Sequence, residues 1–190
     1  RLAAAGPRLR PMHKAGRLVG NALTVKARPG DNLMAHKAID MAQPRDVIVV
    51  DAGGDLTHAI VGELMMRHAQ QRGVAGFVIN GAVRDLGCIA KEDWPVYAAG
   101  VTHRGPYKDG PGEINVTIAI DGMIVQPGDI IVGDEDGVLA VPLAQASSLL
   151  EFAAKHRARE DSTMAQILAG TVDRSWVDER LKSLGCEYCA

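Results

Sequence analysis

Short apolar runs separated by Gly, Pro and Asp set the rhythm of the chain. Residues 18–26 (LVGNALTVK) read as an extended segment closed by Arg28-Pro29-Gly30-Asp31. From 32 to 43, Leu33, Met34, Ala38, Ile39 and Ala42 recur at helical spacing, which predicts a helix with Asp31 near its N-cap. Residues 47–50 (VIVV) are an unbroken β-branched run, as in a strand buried on both faces, and Asp51-Ala52-Gly53-Gly54 then opens a loop. Residues 56–72 are helical by period and stop at Gly73. Gly62 interrupts that pattern, and an interior glycine costs a helix about 1 kcal/mol against alanine. A longer loop with a helix starting near Gly62 fits the same residues.

The second half alternates faster. Residues 74–80 predict another buried strand and 81–85 a loop. Further strands are expected over 96–101, 114–120, 123–125, 130–132 and 138–141, with Asp121-Gly122 as a hairpin dipeptide and 133–137 as an acidic turn. Pro-Gly-Asp occurs at Pro29 and Pro127, with the variant Pro44-Arg45-Asp46, and these read as turns. From Leu143 the pattern becomes helical and charged, ending in a short helix over 176–184. The sum is an α/β arrangement with mixed sheets rather than a doubly wound one. At 190 residues, one domain is expected: an α/β core over 16–142 and a helical extension over 143–190.

Composition removes several function classes. Lys+Arg is 21 against 23 Asp+Glu, a net charge of −2, which argues against broad nucleic-acid backbone binding. Aromatics at 4% are too few for a base-stacking platform, so no nucleic-acid partner is expected. No apolar run approaches a membrane span, so no membrane partner is expected either. Cys88, Cys186 and Cys189 are not a disulfide framework and fit a reducing cytoplasm; the terminal Cys-Glu-Tyr-Cys is a weak zinc signal. The chain opens at Arg1 rather than Met, compatible with a preceding segment, and carries no signal-peptide pattern.

Two loops carry candidate chemistry because each follows a buried strand. A helix beginning at Gly62-Glu63-Leu64-Met65 would present free N–H groups to a small carboxylate or phosphate; the alternative is a glycine kept for packing. Arg84-Asp85 pairs a guanidinium fork for a carboxylate with a hard oxygen ligand for Mg²⁺ or Mn²⁺; the alternative is a surface ion pair. The six histidines include His58 and His103 in loops, but none forms a zinc-ligand pair. The Gly/Pro-rich stretch 105–112 lacks the order of a P-loop and reads as a rigid rim carrying Lys108. Neither a GxSxG elbow nor a Cys-His pair points to a covalent nucleophile.

Gly20-Asn21-Ala22-Leu23-Thr24-Val25, Val47 through Gly54, Gly62-Glu63-Leu64-Met65, Gly81-Ala82-Val83-Arg84-Asp85, and Pro127-Gly128-Asp129 through Val138 together resemble one superfamily. It contains the regulator of ribonuclease E activity A and the 4-hydroxy-4-methyl-2-oxoglutarate aldolases. Some members have been labelled menaquinone methyltransferases, but this sequence has no glycine-rich nucleotide loop after its first strand. The resemblance implies a swivelling-type β/β/α sandwich assembled as a homotrimer or homohexamer, with sites between subunits. It implies a divalent-metal aldolase (Mg²⁺ or Mn²⁺) that cleaves 2-oxo acids to pyruvate, with oxaloacetate decarboxylase activity. By the same resemblance, the amides of Gly62, Glu63, Leu64 and Met65 hold the substrate carboxylate, Arg84 binds substrate, and Asp85 binds the metal, which starts the helix at Gly62. The family's acid three residues after the Asp is Cys88 here, and Glu160 of a neighbouring subunit is the expected substitute. The far end of the substrate is expected to be a second carboxylate facing a basic rim from Lys108 or Arg104. The alternative is a non-catalytic regulator that binds and inhibits a ribonuclease; such members often lack the Asp that stands here at 85.

Overall fold

The structure is a computed structural model and describes residues 3–187. Its centre is built from runs apolar on both faces. Strands β2 (Leu18–Ala27), β3 (Asp46–Asp51), β5 (Gly76–Val83) and β6 (Val96–Val101) lie side by side and parallel. Along β3, Ile48 and Val50 enter one core while Val47 and Val49 enter the other, which is why the run does not alternate with polar residues. Antiparallel strands extend the sheet on both sides. β1 (Arg10–Pro11) pairs with β6, β10 (Ile130–Gly133) with β2, and β11 (Val138–Val141) with β10. The short strands β4 (Ala59–Val61), parallel to β5, and β7 (Gly112–Ile114), antiparallel to β2, complete a nine-stranded mixed sheet among the described residues. A separate hairpin joins β8 (Ile118–Ile120) to β9 (Met123–Val125) through Asp121 and Gly122, both at positive φ (44° and 85°), as a two-residue hairpin turn requires.

Helices α1 (Leu33–Met41) and α2 (Glu63–Gln71) cover one sheet face, packing Ile39 and Met66 against Ile48, Val50 and Phe77. On the opposite face, Ile120 and Met123 of the hairpin and Ile131 pack with Val49, Val78 and Tyr97. The fold is thus mixed α/β, as the patterning predicts.

Three expectations are corrected. The loop predicted over 81–85 is strand as far as Val83. Gly81 and Ala82 are weak strand formers, but both are buried, and Ala82 pairs with Ala59 of β4 and Gly100 of β6, with Gly81 at the irregularity just before it. The strand predicted over 114–120 breaks at Asn115 (φ 59°), where the chain leaves β2 for the hairpin; Thr24 Oγ1 donates to the Val116 carbonyl at that corner (2.7 Å). Residues 59–61, expected in a loop, form β4.

The described residues divide into two compact units, the first ending at Ala146 and the second starting at Ser147. The second contains α4 (Ala146–Leu168) from its second residue onward and α5 (Ser175–Ser183). No residue of α4 is buried, and Phe152, Ile167 and Leu168 are exposed along it. Among the described residues no helix is long and apolar enough to cross a membrane. Cys186 is a free thiol, and Cys189 lies outside the described residues.

Candidate functional site

The ends of β4 and β5 deliver Gly62 and Arg84 side by side, joined by the Arg84 N–H to Val61 carbonyl bond (2.9 Å). Helix α2 starts directly at Glu63, with Gly62 as its extended N-cap (φ −140°, ψ −170°). Gly62 is needed for space rather than for φ: a Cβ there would collide with the Asp85 carboxylate and come within 2.9 Å of Arg84 Cγ. Asp85 adopts the left-handed conformation (φ 59°, ψ 35°) ahead of the one-turn helix α3 (Leu86–Ile89). That turn directs its carboxylate back to α2, where Oδ2 accepts the Glu63 N–H at 2.9 Å. The Arg84 Nε stands 3.7 Å from the same oxygen, and both side chains remain about two-fifths exposed (41% and 42%). As the second and third residues of the helix, Leu64 and Met65 have no intrahelical acceptor for their N–H groups.

A cleft of about 380 Å³ opens beside this turn, lined by Gly62, Leu64, Met65 and Arg84 on one side and by Asn32, His36 and Lys108 on the other. A smaller concavity of about 250 Å³ holds Asp85 and His103, with Arg84 forming the wall shared by the two. The far side of the cleft is anchored by Asp31, which is 1% exposed. Its Oδ1 accepts the Leu33 N–H (2.9 Å), and its Oδ2 accepts those of Asp109 (2.6 Å) and Gly110 (2.8 Å). Burial works against this charge, but the three N–H donors and Arg28 outweigh it and hold the carboxyl below its ordinary range. Next to it, Asn32 donates to the Ile60 carbonyl (3.1 Å) and faces the Met65 sulfur (3.3 Å), leaving its Oδ1 buried with no partner. Burial and the Lys108 charge lower the His36 pKa and favour a neutral imidazole.

A family profile described as RraA-like (Aldolase/RraA) matches residues 1–140. The chain belongs to the RraA-like family. It is 41% identical over 154 residues, 81% of this chain and 73% of the other, to a Halalkalibacterium halodurans protein provisionally named 4-hydroxy-4-methyl-2-oxoglutarate aldolase. It is 35% identical to the Thermus thermophilus protein named 4-hydroxy-4-methyl-2-oxoglutarate aldolase over 112 residues, 59% of this chain and 68% of that one. A solved structure described as the RNA-processing inhibitor RraA of Thermus superposes with a TM-score of 0.68 at 31% identity, covering 73% of this chain and 84% of that one. Relatives of this RraA-like chain thus carry both lyase and regulator names.

Of the residues singled out from sequence, Gly62, Glu63, Leu64, Met65, Arg84 and Asp85 come together at the start of α2. Glu63 spends its N–H on Asp85 and turns its carboxylate toward Arg67 (3.8 Å) and Cys88. The Glu63 carboxylate, with burial, pushes the Cys88 thiol up, so position 88 supplies no anionic group at neutral pH. Glu160 lies on α4, with its carboxylate 3.2 Å from His156. Of the two loop histidines, His103 borders the smaller concavity, whereas His58 rests on the Tyr107 ring (4.7 Å between centroids). Lys108 lines the cleft and Arg104 does not. Sequence reasoning missed Asn32 and His36. The signal available for Asn32 was a second polar residue directly after the Gly-Asp turn and ahead of the apolar Leu33-Met34-Ala35 that opens α1.

Proposed function

We propose that this RraA-like chain is a divalent-metal-dependent carbon–carbon lyase that releases pyruvate from a 2-oxo acid. 4-Hydroxy-4-methyl-2-oxoglutarate is the aldol substrate and oxaloacetate the decarboxylation substrate. One observation carries the reading: Asp85 is held in a left-handed turn against the first N–H of α2, with Arg84 beside it and the next two residues, Leu64 and Met65, lining the cleft.

No cluster of three His, Cys, Asp or Glu side chains suited to a metal occurs among the described residues. The donor chemistry still fits Mg²⁺ or Mn²⁺, which take one or two carboxylates and keep several waters. Asp85 would hold the ion, its exposed side chain spending one hydrogen bond on Glu63. When bound, such an ion polarises the substrate carbonyl as a Lewis acid.

The chain's own groups supply the rest. The Leu64 and Met65 amides bind the 1-carboxylate, aided by the positive end of α2. Arg84 meets the negative charge that grows on the 2-oxo oxygen as the C3–C4 bond breaks and its electron pair moves toward C2. The 4-hydroxyl gives up its proton, C4 becomes a carbonyl, and C3 is then protonated, so 4-hydroxy-4-methyl-2-oxoglutarate yields two pyruvates. In oxaloacetate the same electron flow expels CO₂. The carboxylate that moves these protons is Glu160 of a neighbouring copy or Glu63, which would have to turn from Arg67, and separate Glu→Gln variants decide between them. A site completed by a neighbouring copy would account for the exposure of Arg84 and Asp85. A homotrimer or homohexamer, measured by light scattering, belongs to the same reading, as does a cytoplasmic location in keeping with free thiols at Cys88 and Cys186.

The deciding assay follows pyruvate from both substrates with Mg²⁺ or with EDTA. The expected result is release that EDTA abolishes and Mg²⁺ restores. No release from either substrate, together with inhibition of a ribonuclease by the purified protein, would overturn the lyase reading in favour of the regulator named among its relatives.

A further inference from the structure

His103 has no part in the steps assigned to Arg84, Asp85 and the α2 amides, yet it shares a concavity with two of those groups. β5 and β6 run parallel with Val83 opposite Val101, and Asp85 and His103 each lie two residues beyond that pair. Both border the smaller concavity of about 250 Å³. The segment carrying His103 is fixed on either side. The Thr102 N–H donates to the Val83 carbonyl (3.0 Å), and the Arg104 carbonyl accepts the Ala59 N–H (2.9 Å). The imidazole between these anchors is exposed, and among the described residues it makes no hydrogen bond, ion pair or ring contact. Asp85 is similarly unspent: its Oδ2 accepts the Glu63 N–H, and among the described residues its Oδ1 accepts none. Arg84 also borders the concavity, but its guanidinium reaches toward the larger cleft, where a Cβ on Gly105 would stand 3.4 Å from Nη1. A free carboxylate oxygen and a free imidazole, on segments each held by backbone hydrogen bonds, are two donors facing one space.

We propose that His103 is a second protein ligand to the divalent ion at Asp85, and that its nitrogen biases the site toward Mn²⁺ and Co²⁺ over Mg²⁺. The proposal rests on the lyase reading for an ion at Asp85 and goes beyond it in the ligand and the metal preference. Mg²⁺ favours oxygen ligands and keeps its waters, so it gains little from an imidazole. Ions further along the first transition row accept a nitrogen donor more readily, and gain from it. Two protein donors leave the remaining positions to water and substrate, as a Lewis-acid site requires.

The test reads the ion directly. Pulsed electron paramagnetic resonance of the Mn²⁺-loaded protein should show coupling to a bound imidazole nitrogen, and His103→Ala should abolish it. Calorimetric titration of His103→Ala should find Mn²⁺ and Co²⁺ bound at least about tenfold more weakly, since even the indirect partners of a metal ligand are worth that much. Mg²⁺ affinity should change by less than about threefold, because its ligands are oxygens. Asp85→Asn should weaken all three ions. His103 is exposed, so the metal-free melting temperature of His103→Ala should match that of the wild type. Mn²⁺ bound without nitrogen coupling, or equal losses of Mn²⁺ and Mg²⁺ in His103→Ala, overturns the assignment. His103-dependent coupling without pyruvate release would leave the ligand standing and remove the lyase reading. EDTA-sensitive release with no nitrogen at the ion would do the reverse, and a protein that binds none of the three ions would remove both.

Discussion

Asp31 and Asp85 both follow strands of the parallel core and both stand just ahead of a helix, but their carboxylates are used in opposite ways. Asp31 is buried, with three backbone N–H groups divided between its two oxygens. Asp85 is 42% exposed, holds one N–H, and sits in a backbone conformation that costs an L-residue energy. A carboxylate saturated by fixed donors ties segments together and has nothing left for a ligand. One held by a single donor, on a strained turn, keeps its lone pairs available at the expense of stability. The pair therefore divides the labour of the cleft: Asp31 builds the wall that carries Lys108, and Asp85 faces the chemistry.

The largest effect that would break this contrast is on turnover. Asp85→Asn keeps the shape and removes the charge, and Asp85→Gly also releases the left-handed strain. Both should lose at least about 100-fold in kcat, in the range of one lost charge-stabilising group. Thermal unfolding of Asp85→Gly should match or exceed the wild type, as expected where stability has been traded for a functional conformation. A parallel fall in melting temperature and activity would make Asp85 a second structural anchor and erase the distinction.

Asp31→Asn should do the converse. It removes one of two accepting oxygens and leaves buried N–H donors unsatisfied, a loss of about 2 kcal/mol measurable by urea unfolding at pH 7. The pH dependence sharpens this. Because the folded-state pKa lies below the unfolded value of about 3.9, the charge contributes its full stabilisation above that value. The contribution is lost as pH falls through the folded pKa. The gap between wild type and Asp31→Asn is therefore widest at neutral pH and closes on acidification. A gap that widened toward acid would mean that the carboxyl is folded in its protonated form.

How much of this was legible in sequence follows from the range of each interaction. The VIVV run, the Asp121-Gly122 hairpin and the adjacency of Arg84 and Asp85 are local, and each was readable. The start of α2 was ambiguous by period, because Gly62 is explained only by an Asp85 carboxylate 23 residues later in the chain that occupies its Cβ space. Gly81 and Ala82 looked like loop because their strand conformation comes from neighbours on both sides. Asn32 and His36 were invisible as site residues for the same reason. The cleft they line exists only once β4, α2 and the Lys108 loop are assembled around them.

The smallest prediction returns to the three Pro-x-Asp turns. In each of the other two, the middle residue is a glycine in the left-handed region: Gly30 at φ 73° and Gly128 at φ 80°. Arg45 holds the same conformation at φ 75° without being glycine. The turn is enforced by its surroundings: the Arg45 N–H donates to the Gly73 carbonyl (2.7 Å), and Asp46 accepts the Gln43 N–H (2.9 Å), as Asp129 accepts that of Gln126 (2.8 Å). A left-handed L-residue costs about 1–2 kcal/mol, and glycine gives back about 0.5–1 in chain entropy. Arg45→Gly should therefore stabilise the protein by about 0.5–1 kcal/mol in urea unfolding and leave pyruvate release unchanged, since this turn borders neither concavity. A destabilised Arg45→Gly would show that the arginine side chain holds the turn through contacts worth more than its backbone strain.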